Sequence, residues 1–316
     1  MLQFIARRLG VMALTALVLT FVVFFLTNLG PNLEKLAKEQ NNMRMTDAQV
    51  ASWLAEEGYN RPLVVRYGEW LVGVMTGDLG RSTRFNAPVA DVVGERLWYT
   101  AKLMFWVMIV MVPSALLLGV LAGMREGTFT DRSLSTLAIT TTATPEYVSG
   151  VIFSVIFASS IVGLRWMKAS ATSATEGITF ENFALPVMTM AIYGMGYIAR
   201  MTRASMAEVM TAQYIRTARL KGVSFPQIVI KHALRNALIA PFTVIMLQFP
   251  WLLTGVVIVE TLFNYKGFGW LLVEAAGNND IQLLLSCSVV AVLVVLVTQL
   301  ISDIGYVYLN PRIRVQ

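Results

Sequence analysis

Residues 214–241, "YIRTARLKGVSFPQIVIKHALRNALIAP", decide how the rest of the chain is read. The stretch holds Arg216, Arg219, Lys221, Lys231 and Arg235, the chain's single histidine (His232) and no acid, and apolar segments flank it on both sides. A helix over 207–220, lying along a membrane surface and stopping at Lys221-Gly222, fits the pattern, because glycine suits the left-handed position after a helix end. Ser224 is then expected to cap a second helix, with Pro226 in its first turn and Gln227 at the capping-box position. Ala218 lies four residues before Gly222 on one helical face. Two small residues there leave a shallow surface for another protein to grip, with Phe225 as an apolar contact beside it. The plainer alternative is a solvated positive face that only fixes the orientation of its flanking spans.

Composition makes those flanks membrane spans. The chain has 316 residues, 56% hydrophobic and 14% charged, with a mean hydropathy of +0.63. Soluble domains sit near about 45–50% apolar and about 25% charged. Apolar runs long enough to cross roughly 30 Å of hydrocarbon fall at about 10–29, 100–123, 134–163, 185–201, 239–263 and 283–309. The fourth is the shortest and carries Gly194 and Gly196, small residues that let helices approach closely. Arg7 and Arg8 precede the first run, but no small-residue cleavage site follows before "TNLGPN", so it is read as a retained span and not a signal peptide.

Orientation follows from the basic residues of the short connections. With the N-terminus inside, the cytoplasmic side receives Arg7, Arg8, Arg125, Arg132, the basic residues from Arg200 to Arg235, Arg312 and Arg314. The two short outside loops hold only Arg165, Lys168 and Lys266. Both termini are therefore expected in the cytoplasm, and the net charge of +6 belongs to topology, not to nucleic acid. The one cysteine, Cys287, excludes a disulfide framework. The expected organisation is a cytoplasmic end plus first span over 1–30, an extracytoplasmic loop over 31–99, a five-helix core over 100–309 with a cytoplasmic loop at 204–238, and a tail at 310–316.

The long first loop has structure of its own. "MTDAQVASWLAEEGYNRP" reads as an amphipathic helix with Thr46 as N-cap, Gln49 three residues on and Gly58 as the stop. "YGEWLVGVMTGDLGRS" adds a second apolar patch closed by a turn at Gly77-Asp78. A cap packed on its own spans and a docking surface for an external partner both remain open.

Four motifs in order resemble one family. "EEGYNRPLVVRYGEWLVGVMTGDLGRSTRFNAPVADVVGERLWYTAKL" is similar to the stretch between the first two spans of ABC importer permeases of the peptide/nickel branch. "YIRTARLKG…KHALRNALIAP" resembles their cytoplasmic coupling loop, the EAA motif, while "ETLFNYKGFGWLLVEA…ND" and "DIGYVYLNPRIRV" resemble their C-terminal signatures. The long first loop looks like the B-type partner of the permease pair. The resemblance places Ala218 and Gly222 at the second Ala and the Gly of the motif. Arg216 stands where the general pattern has Glu, "NLGPN" replaces "PGDP", "NYKG" replaces a Trp-Pro-Gly, and Asn310 replaces an Asp.

The resemblance implies an all-α membrane protein of six spans, the type I ABC importer permease fold, with a helical extracytoplasmic loop after the first span. It implies one half of a translocation path and no catalysis by this chain. Implied partners are a second, C-type permease, two ABC ATPase subunits and an extracytoplasmic substrate-binding protein. The chain itself contains no G-x-x-x-x-G-K-[ST] phosphate loop, so ATP and Mg belong to the ATPases and no cofactor is expected here. Residues expected to engage an ATPase are Tyr214, Arg216, Thr217, Ala218, Arg219, Lys221, Gly222, Phe225, His232 and Arg235. Peptides are the implied substrate; oligosaccharides, glycosides and nickel complexes stay open.

Acids are sparse in the apolar runs. Glu146 follows Thr144 and Pro145 in "TTATPEYVSG", where proline kinks a helix and an intramembrane carboxylate marks a pathway. The alternative is a wetted position near the cytoplasmic end of a tilted span. Asp78, Glu260, Tyr265 and Lys266 are candidates for contact with the binding protein or for a gate. An ion-coupled secondary transporter would carry mid-membrane carboxylates or an inverted repeat, and the sequence shows at most one deep acid and no convincing internal repeat. An intramembrane metalloprotease would need H-E-x-x-H, which a single histidine cannot supply.

Overall fold

The computed structural model describes residues 2–41, 43–160 and 164–309. The end of the third apolar run (161–163) and the tail (310–316) with Asn310, Arg312 and Arg314 fall outside them. Nearly everything described is helical; the one extended pairing is an isolated antiparallel bridge between Arg81 and Pro88. Contacts divide the chain into two compact units, Met1–Thr100 with Lys266–Val297, and Ala101–Tyr265 with Thr298–Gln316.

In the first unit, α1 (Leu2–Thr27) leads into α2 (Gly30–Gln40), which starts with a proline in its first turn, where the missing N–H is an orphan anyway. The expected capping box opens α3 (Asp47–Glu56): the Thr46 N–H donates to Gln49 Oε1 at 2.9 Å, and Thr46 Oγ1 accepts from the Gln49 N–H. Gly58, at φ +75°, follows it. Helix α4 (Leu63–Thr76) ends on the left-handed Gly77, as the Gly-Asp turn requires. Phe24, Leu33, Leu36, Ile281 and Leu285 form one core, ringed by Trp53, Tyr59, Tyr67 and Trp70. A second core joins the start of α5 (Val89–Gly123) to α13 (Phe268–Gly277) and the start of α14 (Ile281–Leu309) through Val89, Val93, Phe268, Leu271 and Leu283. Asp280, fully buried, accepts from Ser82 Oγ at 2.5 Å and from the N–H groups of Arg84 and Leu283 at 3.1 Å. The start of α2 is tied to the turn ahead of α14, where Asn279 Nδ2 donates to the Asn32 carbonyl at 3.0 Å.

The second unit is arranged around one long helix. After α6 (Phe129–Ala143), α7 (Glu146–Phe157) and a short 3-10 turn (Thr172–Thr175), α8 runs from Phe180 to Met210 and packs on α6, on α7 and on α12 (Ile239–Leu262). A capping box between Thr179 and Asn182 opens α8. The approach of its neighbours depends on missing side chains. A Cβ on Gly123 would lie 2.6 Å from the Arg203 carbonyl oxygen, and one on Gly196 would lie 2.6 Å from Thr141 Oγ1. Gly119 and Gly123, spaced G-x-x-x-G, serve the contact with α8 from the α5 side.

Several boundaries differ from the sequence reading. Six spans are expected, but among the described residues four helical stretches are long and apolar enough alone: Ala6–Thr27, Val89–Gly123, Phe180–Met210 and Ile281–Gly305. A fifth arises if Phe225–Ala237 and Ile239–Leu253, bent by 52°, count as one. The third run is not one kinked helix. It is broken, because Thr144 before Pro145 is extended (φ −93°, ψ 118°) and Pro145 becomes the N-cap of α7. Residues 207–220 are likewise not one helix: 207–210 complete α8, and Thr211-Ala212 separate it from α9 (Gln213–Leu220). Ser224 makes no side-chain capping bond to the helix after it, so the capping box with Gln227 does not form.

Candidate coupling site

The basic stretch folds as a helical hairpin. Its first arm is α9. Its second runs through α10 (Phe225–Gln227), a π-helical turn (Ile228–Ala233) and α11 (Leu234–Ala237). The turn between them is a Schellman motif: the Val223 N–H bonds the Ala218 carbonyl at 3.2 Å and the Gly222 N–H bonds the Arg219 carbonyl at 3.0 Å. Gly222 holds φ +75° with open space around its Cβ position, so its backbone conformation, not crowding, calls for glycine there. Ile215, Ala218, Ile228, Val229, Ala233 and Ala237 bury against Met206 of α8, with Val223 packed alongside. Burial of Ile215 and Ile228 contributes about 1.5–3 kcal/mol apiece. Asn236 Nδ2 donates to Tyr214 Oη at 3.0 Å and ties the two arms together.

This packing corrects the reading of Ala218. It is buried in the hairpin's own core, so its small size serves the seam between the arms and not an exposed gripping surface. The exposed face carries Arg216, Thr217, Arg219, Lys221, Gly222, Phe225, Lys231, His232 and Arg235. Leu220, which the sequence reading passes over, is 82% exposed at the tip. Among the described residues no carboxylate pairs with Arg216, Arg219, Lys221, Lys231 or Arg235. The hairpin thus presents unpaired cations around an uncovered leucine. A π-helical turn, uncommon and recurrent at functional sites, holds Lys231 and His232.

The helix that carries the hairpin is fixed by a clamp that the sequence reading misses. Asp131, at the start of α6 and ahead of the third apolar run, accepts from Arg203 Nε and Nη2 of α8, both at 2.8 Å. It accepts as well from the Gly127 N–H at 2.9 Å and from Ser135 Oγ at 3.1 Å. The Arg203 guanidinium above all, then the Gly127 and Ser135 bonds, hold this carboxyl far below its usual range against the opposing effect of burial. The local signal was legible: Thr128, whose side chain caps α6, stands three residues ahead of Asp131. The partner, 72 positions on, was not.

The other expected residues scatter. Thr144, Pro145 and half-buried Glu146 sit at the break between α6 and α7, with Glu146 in the first turn of α7, where the helix dipole favours an anion. Thr144 Oγ1 donates back to the Thr140 carbonyl at 2.9 Å. Glu260 is fully buried near the end of α12, and its carbonyl accepts the Tyr265 N–H at 2.8 Å. The buried Tyr265 ring packs on Phe183 at 5.5 Å. Both belong to the second unit. Lys266, in the first, lies over the Trp270 ring at 5.8 Å and offers its carbonyl to Arg96. Asp78 is exposed and accepts the Gly80 N–H at 3.0 Å. No group of three or more His, Cys, Asp or Glu residues among the described ones is placed to hold a metal ion.

Comparison with known proteins identifies the family. Residues 115–315 match the family model described as the binding-protein-dependent transport system inner membrane component, and residues 1–104 match the N-terminal model of such membrane components. The chain belongs to this family of ABC importer permeases. A probable peptide ABC transporter permease protein of Sinorhizobium fredii is 35% identical to the permease over 315 residues, covering 98% of this chain and 99% of that one. The glutathione transport system permease protein GsiC of Salmonella typhimurium is 30% identical over 321 residues, covering 99% of each. The hairpin and the Asp131–Arg203 clamp both lie inside the first matched region. The permease is thus a multi-pass membrane protein whose exposed basic hairpin follows directly from its most buried long helix.

Proposed function

We propose that this permease forms half of the translocation path of an ATP-driven importer and receives work from separate ATPase subunits through the hairpin of residues 213–237. The observation that carries the reading is the tip. Leu220 is uncovered, Gly222 closes a rigid Schellman turn, and among the described residues no acid pairs with the surrounding cations. Arg216, Arg219 and Lys221 meet acids on the ATPase and set register more than affinity, while Leu220 and Phe225 fill its groove. Tyr214, Thr217, His232 and Arg235 flank that contact. Ala218 acts indirectly, by keeping the two arms in contact. ATP-driven closure of the ATPase pair then biases an inward/outward equilibrium of the attached helices.

In this reading the chain crosses the membrane six times, with α6 from Leu134 onward and α7 together as the third crossing and α12 as the fifth. Both termini and the hairpin are cytoplasmic, and the helical segment over 31–99 is extracytoplasmic. A second, C-type permease completes the path, in which Thr144, Pro145 and Glu146 take part. An external binding protein delivers substrate near Asp78 and Lys266 of the first unit, while the buried Glu260 and Tyr265 of the second are gate residues. The chain is a non-catalytic subunit that binds no cofactor; ATP and Mg are used by its partners. The names of the two relatives above support peptides as the substrate class.

The test is reconstitution. Liposomes holding the permease, its C-type partner and both ATPases should accumulate labelled peptide when the binding protein and ATP are supplied. The permease alone should accumulate none. Uptake by the permease alone would overturn the proposal.

A further inference from the structure

Helix α4 is too short to cross a bilayer, yet it is apolar on more than one side. Its 14 residues span about 21 Å at 1.5 Å per residue. Laid out at 100° per residue, they divide into three sectors. Leu63, Tyr67 and Trp70 pack into the aromatic core on Phe24. Arg66, Glu69 and Thr76 form a polar sector, with Glu69 paired to Arg61 at 2.7 Å. The third sector is Val64, Val65, Val72 and Met75, which are 70%, 48%, 61% and 79% exposed. A soluble helix needs only two sectors, core and water. A third, apolar and uncovered, needs another medium.

Three contacts set the depth at which α4 lies, all within the first unit. Tyr67 Oη is hydrogen-bonded to Thr20 Oγ1 at 2.9 Å and donates to the Leu17 carbonyl at 3.1 Å. Thr20 lies seven residues, about 10 Å of helix, before the end of the apolar stretch Ala6–Thr27. Arg66 is hydrogen-bonded to Asn28 just past that stretch. At the other end of the segment, Ser286 Oγ, already inside the apolar stretch Ile281–Gly305, donates to the Leu79 carbonyl at 3.2 Å. The helix is therefore held level with the outermost turns of two apolar stretches. On α1 itself, Val18, Val22 and Phe25 are likewise 53%, 45% and 46% exposed.

We infer that α4 is an interfacial helix, seated in the boundary between headgroups and acyl chains, with Val64, Val65, Val72 and Met75 in contact with lipid tails and Glu69 and Thr76 directed to water. Such a helix carries a charged face and an apolar face buried about 5–10 Å into the boundary. The partner of this surface is the bilayer itself. It anchors the segment over 31–88 against the membrane independently of any docked protein. The inference rests on α1 crossing the membrane, and the experiment separates the two.

Two methionines of the unmodified chain supply the test. Met75 and Met43 are 79% and 73% exposed in the protein, so both are open to water unless lipid covers one. The assembled importer in lipid nanodiscs, without its binding protein, is treated with the charged oxidant chloramine-T, and sulfoxide formation at each site is followed by mass spectrometry. Met75 should oxidise several-fold more slowly than Met43. Equal rates would mean that α4 faces water and awaits a protein, which would overturn the inference. As a second readout, a fluorophore on Val72→Cys should be quenched by tail-brominated lipid and not by aqueous iodide; the opposite pattern would overturn it. The same label on Leu14→Cys, midway along α1 and 64% exposed, reports the span alone. Iodide quenching there would overturn the crossing as well, whereas tail quenching at Leu14 with iodide quenching at Val72 would overturn only the placement of α4.

Discussion

Helices α1 and α8 are both long enough to cross a bilayer, and they are built in opposite ways. The apolar stretch of α1 is the more hydrophobic of the two, yet only 11% of it is buried in the protein; α8 is the least hydrophobic of the four candidates and 67% buried. In a membrane, apolar side chains gain nothing by leaving lipid for protein, so the interior helix is the one with small and polar residues on its surface. Gly194, Gly196, Thr189 and Thr202 line α8, and Arg203 reaches Asp131 from it. Hydropathy thus reports contact with lipid, and its weakening along an otherwise long helix reports contact with protein.

Four perturbations break or sharpen that contrast. The largest effect is expected at Gly196→Leu, where a side chain must displace the backbone of α6 near Ala138. Overpacking a core usually costs about 1–3 kcal/mol, and backbone obstruction places this variant at the top of that range, read as loss of monodisperse permease after extraction. Next is Asp131→Asn, which removes the bidentate acceptor of Arg203, leaves it, among the described residues, only Glu126 at 3.8 Å, and costs about 1.5–3 kcal/mol. The sign of its pH dependence follows from a carboxyl held low. The ionised clamp is fully present above about pH 4, the ordinary value, and is lost only on stronger acidification. The gap in melting temperature between wild type and Asp131→Asn should therefore stay constant from pH 8 to pH 5 and narrow below that. Gly222→Ala places a side chain in the left-handed region and costs about 1–2 kcal/mol, visible as faster proteolysis at the hairpin tip. Least of all, Leu14→Ala on lipid-facing α1 should shift stability by no more than about 0.5 kcal/mol.

Local signals were legible in the sequence and non-local ones were not. The capping box at Thr46 and the turn at Gly77 each depend on residues a few positions apart, and both form as read. The stop at Gly222 is of the same kind. The break at Thr144-Pro145 was read as a kink because the pattern of apolar residues continues through it, whereas the geometry before proline ends the hydrogen-bond ladder. The boundary at Thr211-Ala212 carries neither glycine nor proline and left no mark. Ala218 was assigned outward because it is small and lies four residues before Gly222 on one helical face. Only the second arm of the hairpin shows that it faces inward. The exposed apolar sector of α4 needed three dimensions, since it is defined by what Tyr67 and Leu79 reach.

The account stands on the hairpin tip as the point where work enters. Leu220 is uncovered and outside the hairpin's own core, so Leu220→Glu leaves the fold intact while it adds an acid among unpaired cations. In importer complexes of equal subunit content, this variant should lose the ATP hydrolysis that loaded binding protein stimulates. Stimulated hydrolysis equal to that of the unmodified complex would contradict the account.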